Sequence, residues 1–162
     1  MYRGSRIYAD IRIMSIKFVP DESKNEYEYA ISACLCGVSC RYDGKHNLVE
    51  EIRRIYDEGR AVLVCPEVMG GLSTPRLPCE ILEGKVVNCE GEDKTAEFTL
   101  GAEIALELCK KYNVKKAILK QNSPSCGSEL IYDGTFTSRK ISGQGITAAL
   151  LMENGILVDD EK

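Results

Sequence analysis

The chain has 162 residues, of which 44% are hydrophobic and 28% charged, and its formal net charge is −4. This length fits one domain with a single hydrophobic core, and the small negative charge gives no general attraction to nucleic acids or to anionic membrane surfaces. No stretch approaches the ~20 consecutive apolar residues that a membrane-spanning helix needs.

The start of the chain differs from the rest. Residues 1–27 have no clear period and include the polar stretch 20–26, so we interpret them as an N-terminal extension, with an extra strand or hairpin at the sheet edge as the alternative. Residues 28–162 are predicted to form a single α/β domain.

Strands and helices alternate after this extension. The predicted elements in chain order are a strand over 27–32, a helix from Asn47 to Gly59, a strand over 60–64, a β-hairpin insertion around 79–89 that turns at Glu83–Gly84, a helix over 98–112, a strand over 116–120, a helix over 146–154 and a strand over 156–158. Asn47 is expected to cap the first helix, with Leu48 on its apolar face. This order predicts a three-layer, Rossmann-like domain with a mostly parallel sheet.

Eight cysteines are dispersed along the chain. Secreted disulfide scaffolds are usually shorter and carry a signal peptide, whereas residues 1–18 are interrupted by charged side chains and lack the apolar segment of such a signal. We therefore expect a reduced, cytoplasmic protein whose thiols are core residues, catalysts or metal ligands.

Cys34, Cys65 and Cys126 each lie past the end of a predicted strand. Because the carboxyl ends of parallel strands meet at one edge of a sheet, the three thiols are expected to converge there, which suggests a metal centre. Neither the paired ligands typical of zinc sites nor the compact cysteine runs of many iron–sulfur proteins are present, so the spacing alone leaves the metal open.

The loops around these cysteines carry specific strings, which are SACLCGVSCRYDG from Ser32, CPEVMGGLSTPR from Cys65 and KQNSPSCG from Lys120. In this order they resemble a bacterial and archaeal family known as domain of unknown function 523, whose characterised members are thiouracil desulfidases. Supporting matches are GEDKT from Gly91, YDGTF from Tyr132 and GQGITAA from Gly143. The resemblance covers about residues 28–160.

The resemblance implies a 4Fe-4S cluster held by Cys34, Cys65 and Cys126, with one iron lacking a protein ligand. An open iron favours soft ligands such as a thiocarbonyl sulfur. The implied function is the non-redox, hydrolytic removal of sulfur from a thiolated pyrimidine base such as thiouracil or a related thiocarbonyl compound.

Polar residues of the same loops are candidates for the chemistry. Glu67 follows a candidate ligand by two residues and is expected to act as acid and base, while Ser123 and Ser125 could hold the water or the nucleobase. Four residues are assigned to substrate binding: Arg41, Asp43, Arg76 and Lys120. Lys120 is also expected to offset the negative charge of the thiolate-ligated cluster. The structural alternatives are an ion pair or backbone hydrogen bonds for Glu67, capping for the serines and a salt bridge among the arginines and Asp43.

Three further cysteines, Cys79, Cys89 and Cys109, are predicted to be core or half-buried residues. His46 is predicted to face solvent.

A zinc-binding or sulfur-carrying module without turnover is the alternative function. Zinc is the alternative metal, and Cys36, Cys40 or Glu67 would then supply a fourth ligand. Cys36 and Cys40 also lie close enough in sequence to Cys34 to replace it, or to form a disulfide in the protein without its metal.

Overall fold

The computed structural model describes residues 20–162, so the greater part of the predicted N-terminal extension, residues 1–19, lies outside the described residues. Residues 20–27 contact the domain. The Tyr27 ring packs edge-on against the Tyr112 ring, with 5.3 Å between their centroids, and Lys24 Nζ donates to the Gly59 carbonyl. The boundary between residues 27 and 28 stays a prediction.

Helices and strands alternate over the described part of the chain. The strands are β1 Tyr29–Ser32, β2 Ala61–Val64, β3 Cys79–Leu82, β4 Lys85–Asn88, β5 Lys116–Ile118, β6 Leu130–Tyr132, β7 Lys140–Ser142 and β8 Leu157–Asp159. The helices are α1 Glu50–Asp57, α2 Pro66–Met69, α3 Thr95–Lys111 and α4 Ile146–Glu153, and a 3-10 turn covers Ala33–Cys36. Within residues 20–162, no helix has both the length and the apolar character needed to cross a membrane.

Four of the strands form a parallel sheet in the order β2-β1-β5-β8. Right-handed crossovers place α1 on one face of this sheet and α3 and α4 on the other. The central strands are buried on both faces, since Ile31 of β1 and Val64 of β2 are fully buried. The predicted three-layer α/β architecture is confirmed.

Two antiparallel hairpins project from this domain. The predicted one is formed by β3 and β4, and positive φ angles at Glu83 (51°) and Gly84 (77°) match the two-residue turn expected there. The second hairpin pairs β6 with β7 and was not predicted. Its strands have three residues each and all of β7 is exposed. Strands this short and exposed need no alternation of buried and exposed residues, so the sequence gives little signal for them.

The start of α1 differs from the prediction. The helix begins at Glu50 with Val49 at its N-cap position, and no side chain caps it. Asn47 instead accepts a 2.8 Å hydrogen bond from Arg41, because its carboxamide is turned toward the loop that follows β1. Leu48 is 39% exposed and does not join the apolar face, whereas Ile52 is buried as expected.

Helix α2 lies against α3 at two glycines. A Cβ atom on Gly101 would fall 1.8 Å from the Pro66 carbonyl oxygen, and one on Gly70 would fall 1.9 Å from the Glu97 carbonyl oxygen. Only glycine permits this approach of the two backbones. The contact fixes the position of α2, which carries Glu67 immediately after β2.

Candidate metal centre and active site

A cavity of about 420 Å³ lies where β1, β2 and β5 end. The three predicted metal ligands, Cys34, Cys65 and Cys126, all line it. The connection from β1 leads to β2 on one side of it, and the later crossover to β5 returns to the other side of β1, so the direction of winding reverses between β1 and β5. Open α/β sheets bind ligands at such a switch point. The size of the cavity falls within the range of small-molecule sites.

The three thiols are poorly placed to ionise on their own. Cys34 and Cys126 are buried and Cys65 is half-buried. The pKa of both Cys34 and Cys126 is raised to about 12, chiefly by burial, and the neighbouring thiols of Cys126 and Cys65 contribute to the rise at Cys34. The pKa of Cys65 is raised well above its ordinary value. The largest cause is a hydrogen bond with the Cys40 side chain, and the next largest is burial. Thiolates at these positions require a compensating metal charge, which suits a metal centre.

Within residues 20–162, no group of three or more His, Cys, Asp or Glu side chains is arranged to hold a metal ion. A mononuclear zinc site with a closed ligand set is therefore not preformed among them. An iron–sulfur cluster makes a different demand, because each thiolate binds a separate iron atom. Three dispersed thiols around one cavity fit that donor set.

Glu67 is fixed by two hydrogen bonds at the cavity wall. Arg76 Nε donates to its Oε1 at 3.0 Å, and Ser125 Oγ donates to its Oε2 at 3.2 Å. The Glu67 and Arg76 side chains are only 15% and 7% exposed, so water screens this ion pair weakly. The ion pair considered as a structural alternative is therefore present, and Glu67 also lines the cavity.

The two candidate serines differ in their surroundings. Ser123 Oγ accepts from the backbone N–H groups of Ser125 and Cys126, both at 3.1 Å, so it shapes the loop that carries Cys126. Ser125 Oγ lies 2.9 Å from Ser123 Oγ and 3.4 Å from Cys126 Sγ, besides its contact with Glu67. Ser125 has one hydroxyl hydrogen for these acceptors, and a charged carboxylate makes the stronger bond.

The four candidate substrate-binding residues are placed differently. Arg41 lines the cavity and its guanidinium donates to Asp43 and Asn47 at 2.8 Å each, whereas Asp43 is not among the cavity-lining residues. The salt bridge considered as an alternative for Arg41 and Asp43 is thus present. Arg76 also lines the cavity and donates to the Cys40 carbonyl at 2.9 Å.

Lys120 lines the cavity as well and pairs with Glu161 near the end of the chain. Its positive charge lies close enough to Cys34 to lower the pKa of that thiol, against the larger opposing effect of burial. This placement suits the predicted role of offsetting thiolate charge.

Asn47, Gln121 and Glu80 are among the residues of the site that sequence reasoning missed. Asn47 bonds Arg41 and also lowers the pKa of Cys34 through a side-chain hydrogen bond. Gln121 is buried, and its Oε1 accepts from four backbone N–H groups of the loop around Cys126, the closest at 3.2 Å. Glu80 is buried and lines the cavity. The available signal was a polar residue inside or directly beside an apolar run.

The remaining cysteines lie in distinct environments. Cys40 and Cys79 line the cavity, whereas Cys36 does not and lies near the charges of Arg53 and Asp57 instead. Cys109 is buried, as predicted, and Cys79 is half-buried. The prediction for Cys89 is wrong: it is exposed because it follows β4 at the rim of the hairpin.

His46 faces solvent as predicted, and its Nδ1 accepts from the Leu48 backbone N–H at 3.2 Å.

The fold and the cavity define a class: a three-layer α/β protein with a thiol-lined ligand site at the switch point of its parallel sheet. The model of the 2-thiouracil desulfurase family matches residues 30–162. The chain belongs to this family, which confirms the resemblance seen in the cysteine-containing strings.

Two relatives support this membership. The chain is 48% identical over 141 residues to the uncharacterized protein YbbK of Bacillus subtilis (strain 168), with 81% of this chain and 93% of that protein covered. It is also similar to the solved structure of TudS, a [4Fe-4S]-dependent thiouracil desulfidase, with a TM-score of 0.80 and 46% identity over 84% of this chain and 91% of that one. The cofactor of TudS agrees with the one expected here.

Proposed function

We propose that this protein is a 4Fe-4S-dependent desulfidase that removes sulfur hydrolytically from thiolated pyrimidine bases such as thiouracil. Family membership and the likeness to TudS support the reaction class. The observation that carries the proposal is a chain of contacts from a carboxylate to a candidate ligand: Glu67 Oε2, Ser125 Oγ and Cys126 Sγ follow one another at 3.2 and 3.4 Å in one cavity.

In this proposal Cys34, Cys65 and Cys126 hold the cluster. Their burial and mutual repulsion oppose ionisation in the absence of metal, and Lys120 provides one nearby positive charge. When bound, a cluster with one iron free of protein ligands supplies a Lewis acid that favours the soft sulfur of a thiocarbonyl.

Glu67 and Ser125 move the proton. Glu67 Oε2 accepts the proton of the attacking water, directly or through Ser125 Oγ, while Arg76 holds Oε1 in place. The water oxygen forms the new bond to carbon, the carbon–sulfur bond breaks, and the departing sulfide receives the protons. One thiocarbonyl and one water become one carbonyl and one hydrogen sulfide, so no electron donor is consumed.

Arg41 and Arg76 are proposed to recognise the polar edge of the heterocycle. Both line the cavity, and each guanidinium is already oriented by fixed acceptors. In this proposal Asp43 does not contact the substrate. It accepts a hydrogen bond from the Arg41 guanidinium and so orients that group.

The test is reconstitution of the protein with iron and sulfide in the absence of oxygen. The proposal expects broad visible absorption from a cluster and the release of sulfide when 2- or 4-thiouracil is added. Absence of both would overturn it. One equivalent of zinc by elemental analysis, without sulfide release, would support the zinc-binding module instead.

A further inference from the structure

The turn between β6 and β7 brings an aromatic side chain to the cavity. Phe136 lines the cavity while 36% of it stays exposed. Tyr132, from the first strand of the same hairpin, and Ser138 also contribute to the lining. The hairpin therefore forms an aromatic wall of a cavity whose other walls carry the thiols and the charged groups.

A buried carboxylate fixes this turn. Glu80 on β3 is 8% exposed, and its Oε2 accepts hydrogen bonds from the backbone N–H groups of Gly134 at 2.9 Å and Phe136 at 3.0 Å. Phe136 has a φ of +57°, which is rare for a bulky residue and persists only where the surroundings hold it. Asp133 Oδ1 adds a 3.0 Å bond from the Thr135 N–H. The backbone that carries the Phe136 ring is thus held in place before any ligand enters.

A flat, partly polar heterocycle needs two kinds of recognition. Its edge requires hydrogen-bonding groups, which Arg41 and Arg76 present in this cavity, and its faces favour packing against aromatic rings. We propose that Phe136 packs against the face of the pyrimidine ring and that Glu80 is its positioning residue, so that the pair selects planar heterocycles. This inference takes its substrate class from the proposed function.

Binding of uracil tests the inference without turnover, because uracil lacks the sulfur that would contact a cluster. In saturation-transfer NMR titrations, Phe136→Ala and Glu80→Ala should each weaken uracil binding by about tenfold, a typical loss for one stacked base. Glu80→Gln keeps an acceptor oxygen for the two N–H groups and should bind nearly as wild type does. Leu130→Ala is the matched control, since Leu130 lies on the same hairpin, is 38% exposed and does not line the cavity.

Dihydrouracil provides the sharper comparison, because it has the same polar edge on a puckered ring. Wild type should prefer uracil to dihydrouracil, and Phe136→Ala should lose that preference. Equal affinity of the wild type for the two compounds, absence of uracil binding, or an unchanged preference in Phe136→Ala would overturn the inference. Failure of the proposed function would look different: uracil would still bind with this preference, but the reconstituted protein would release no sulfide from thiouracil.

Discussion

Ser125 Oγ donates a 3.2 Å hydrogen bond to Glu67 Oε2, although the two residues lie 58 positions apart in sequence. The bond connects α2, directly after β2, with the loop that carries Cys126. Ser125 is 1% exposed, so the contact is shielded from bulk water. A carboxylate in this position can receive a proton inside the cavity without moving.

Glu67→Gln tests this role. The substitution keeps the shape of the side chain but removes the base, so turnover of thiouracil should fall by about 10²–10⁴-fold while the cluster is still bound. Loss of the charge also leaves Arg76 without its ion-pair partner, and thermal unfolding must therefore be measured alongside activity. Glu92→Gln, which breaks an ion pair outside the cavity, should leave turnover unchanged. Full turnover by a cluster-loaded Glu67→Gln protein would remove Glu67 as the acid–base.

The ligand assignment can be tested by comparing two buried cysteines. Cys126→Ala should abolish retention of iron and sulfide, because it removes a proposed ligand. Cys109→Ala, at a buried position on α3 away from the cavity, should retain both and lose only the stability expected for a small core truncation, on the order of 1 kcal/mol. Iron content after anaerobic gel filtration is the measurement. Equal iron loss in both variants would mean that the thiols act on the cluster only through the stability of the fold.

Gly101→Ala separates helix propensity from packing. In an unconstrained helix this change stabilises by about 1 kcal/mol. Here the new Cβ would lie 1.8 Å from the Pro66 carbonyl oxygen, so we expect a net destabilisation of about 1–3 kcal/mol. Denaturant unfolding gives the sign directly, and stabilisation would show that the backbones of α2 and α3 can separate without cost. Because α2 carries Glu67, the same variant should also lose turnover.

The sequence predicted the parts of the fold that depend on strong local patterns. The buried strands β1 and β2 are short apolar runs, and the hairpin of β3 and β4 has a clear turn signal at Glu83 and Gly84. The convergence of Cys34, Cys65 and Cys126 followed from the geometry of parallel strands, which places their carboxyl ends together.

The contacts between distant loops could not be predicted in the same way. Asn47 bonds Arg41 instead of capping α1, and no local sequence pattern indicates which of these two interactions forms. The turn around Phe136 depends on Glu80, more than fifty residues earlier in the chain. Polar side chains of this kind have several available partners, and only the tertiary structure selects one.

Alkaline pH should unfold the metal-free protein in part through Cys109. Burial raises the pKa of this thiol from 9.0 to about 12, so the folded state holds the proton more tightly than the unfolded state does. The resulting stability is fully present below pH 9.0 and is lost as the pH rises toward 12. The stability advantage of wild type over Cys109→Ala should therefore fall as the pH rises through this window and reverse in sign toward its upper end. A difference in unfolding free energy between the two proteins that stays constant with pH would contradict the raised pKa of Cys109.

The most direct test of the proposed reaction follows the oxygen atom. The reconstituted wild-type protein is supplied with 2-thiouracil in water enriched in oxygen-18, without any reductant, and the uracil and sulfide are quantified by mass spectrometry and by a sulfide assay. Hydrolysis predicts equal amounts of the two products, with one heavy oxygen in each uracil. Uracil that lacks the heavy oxygen, or turnover that starts only when a reductant is added, would contradict the hydrolytic, non-redox desulfidase proposed for this cavity.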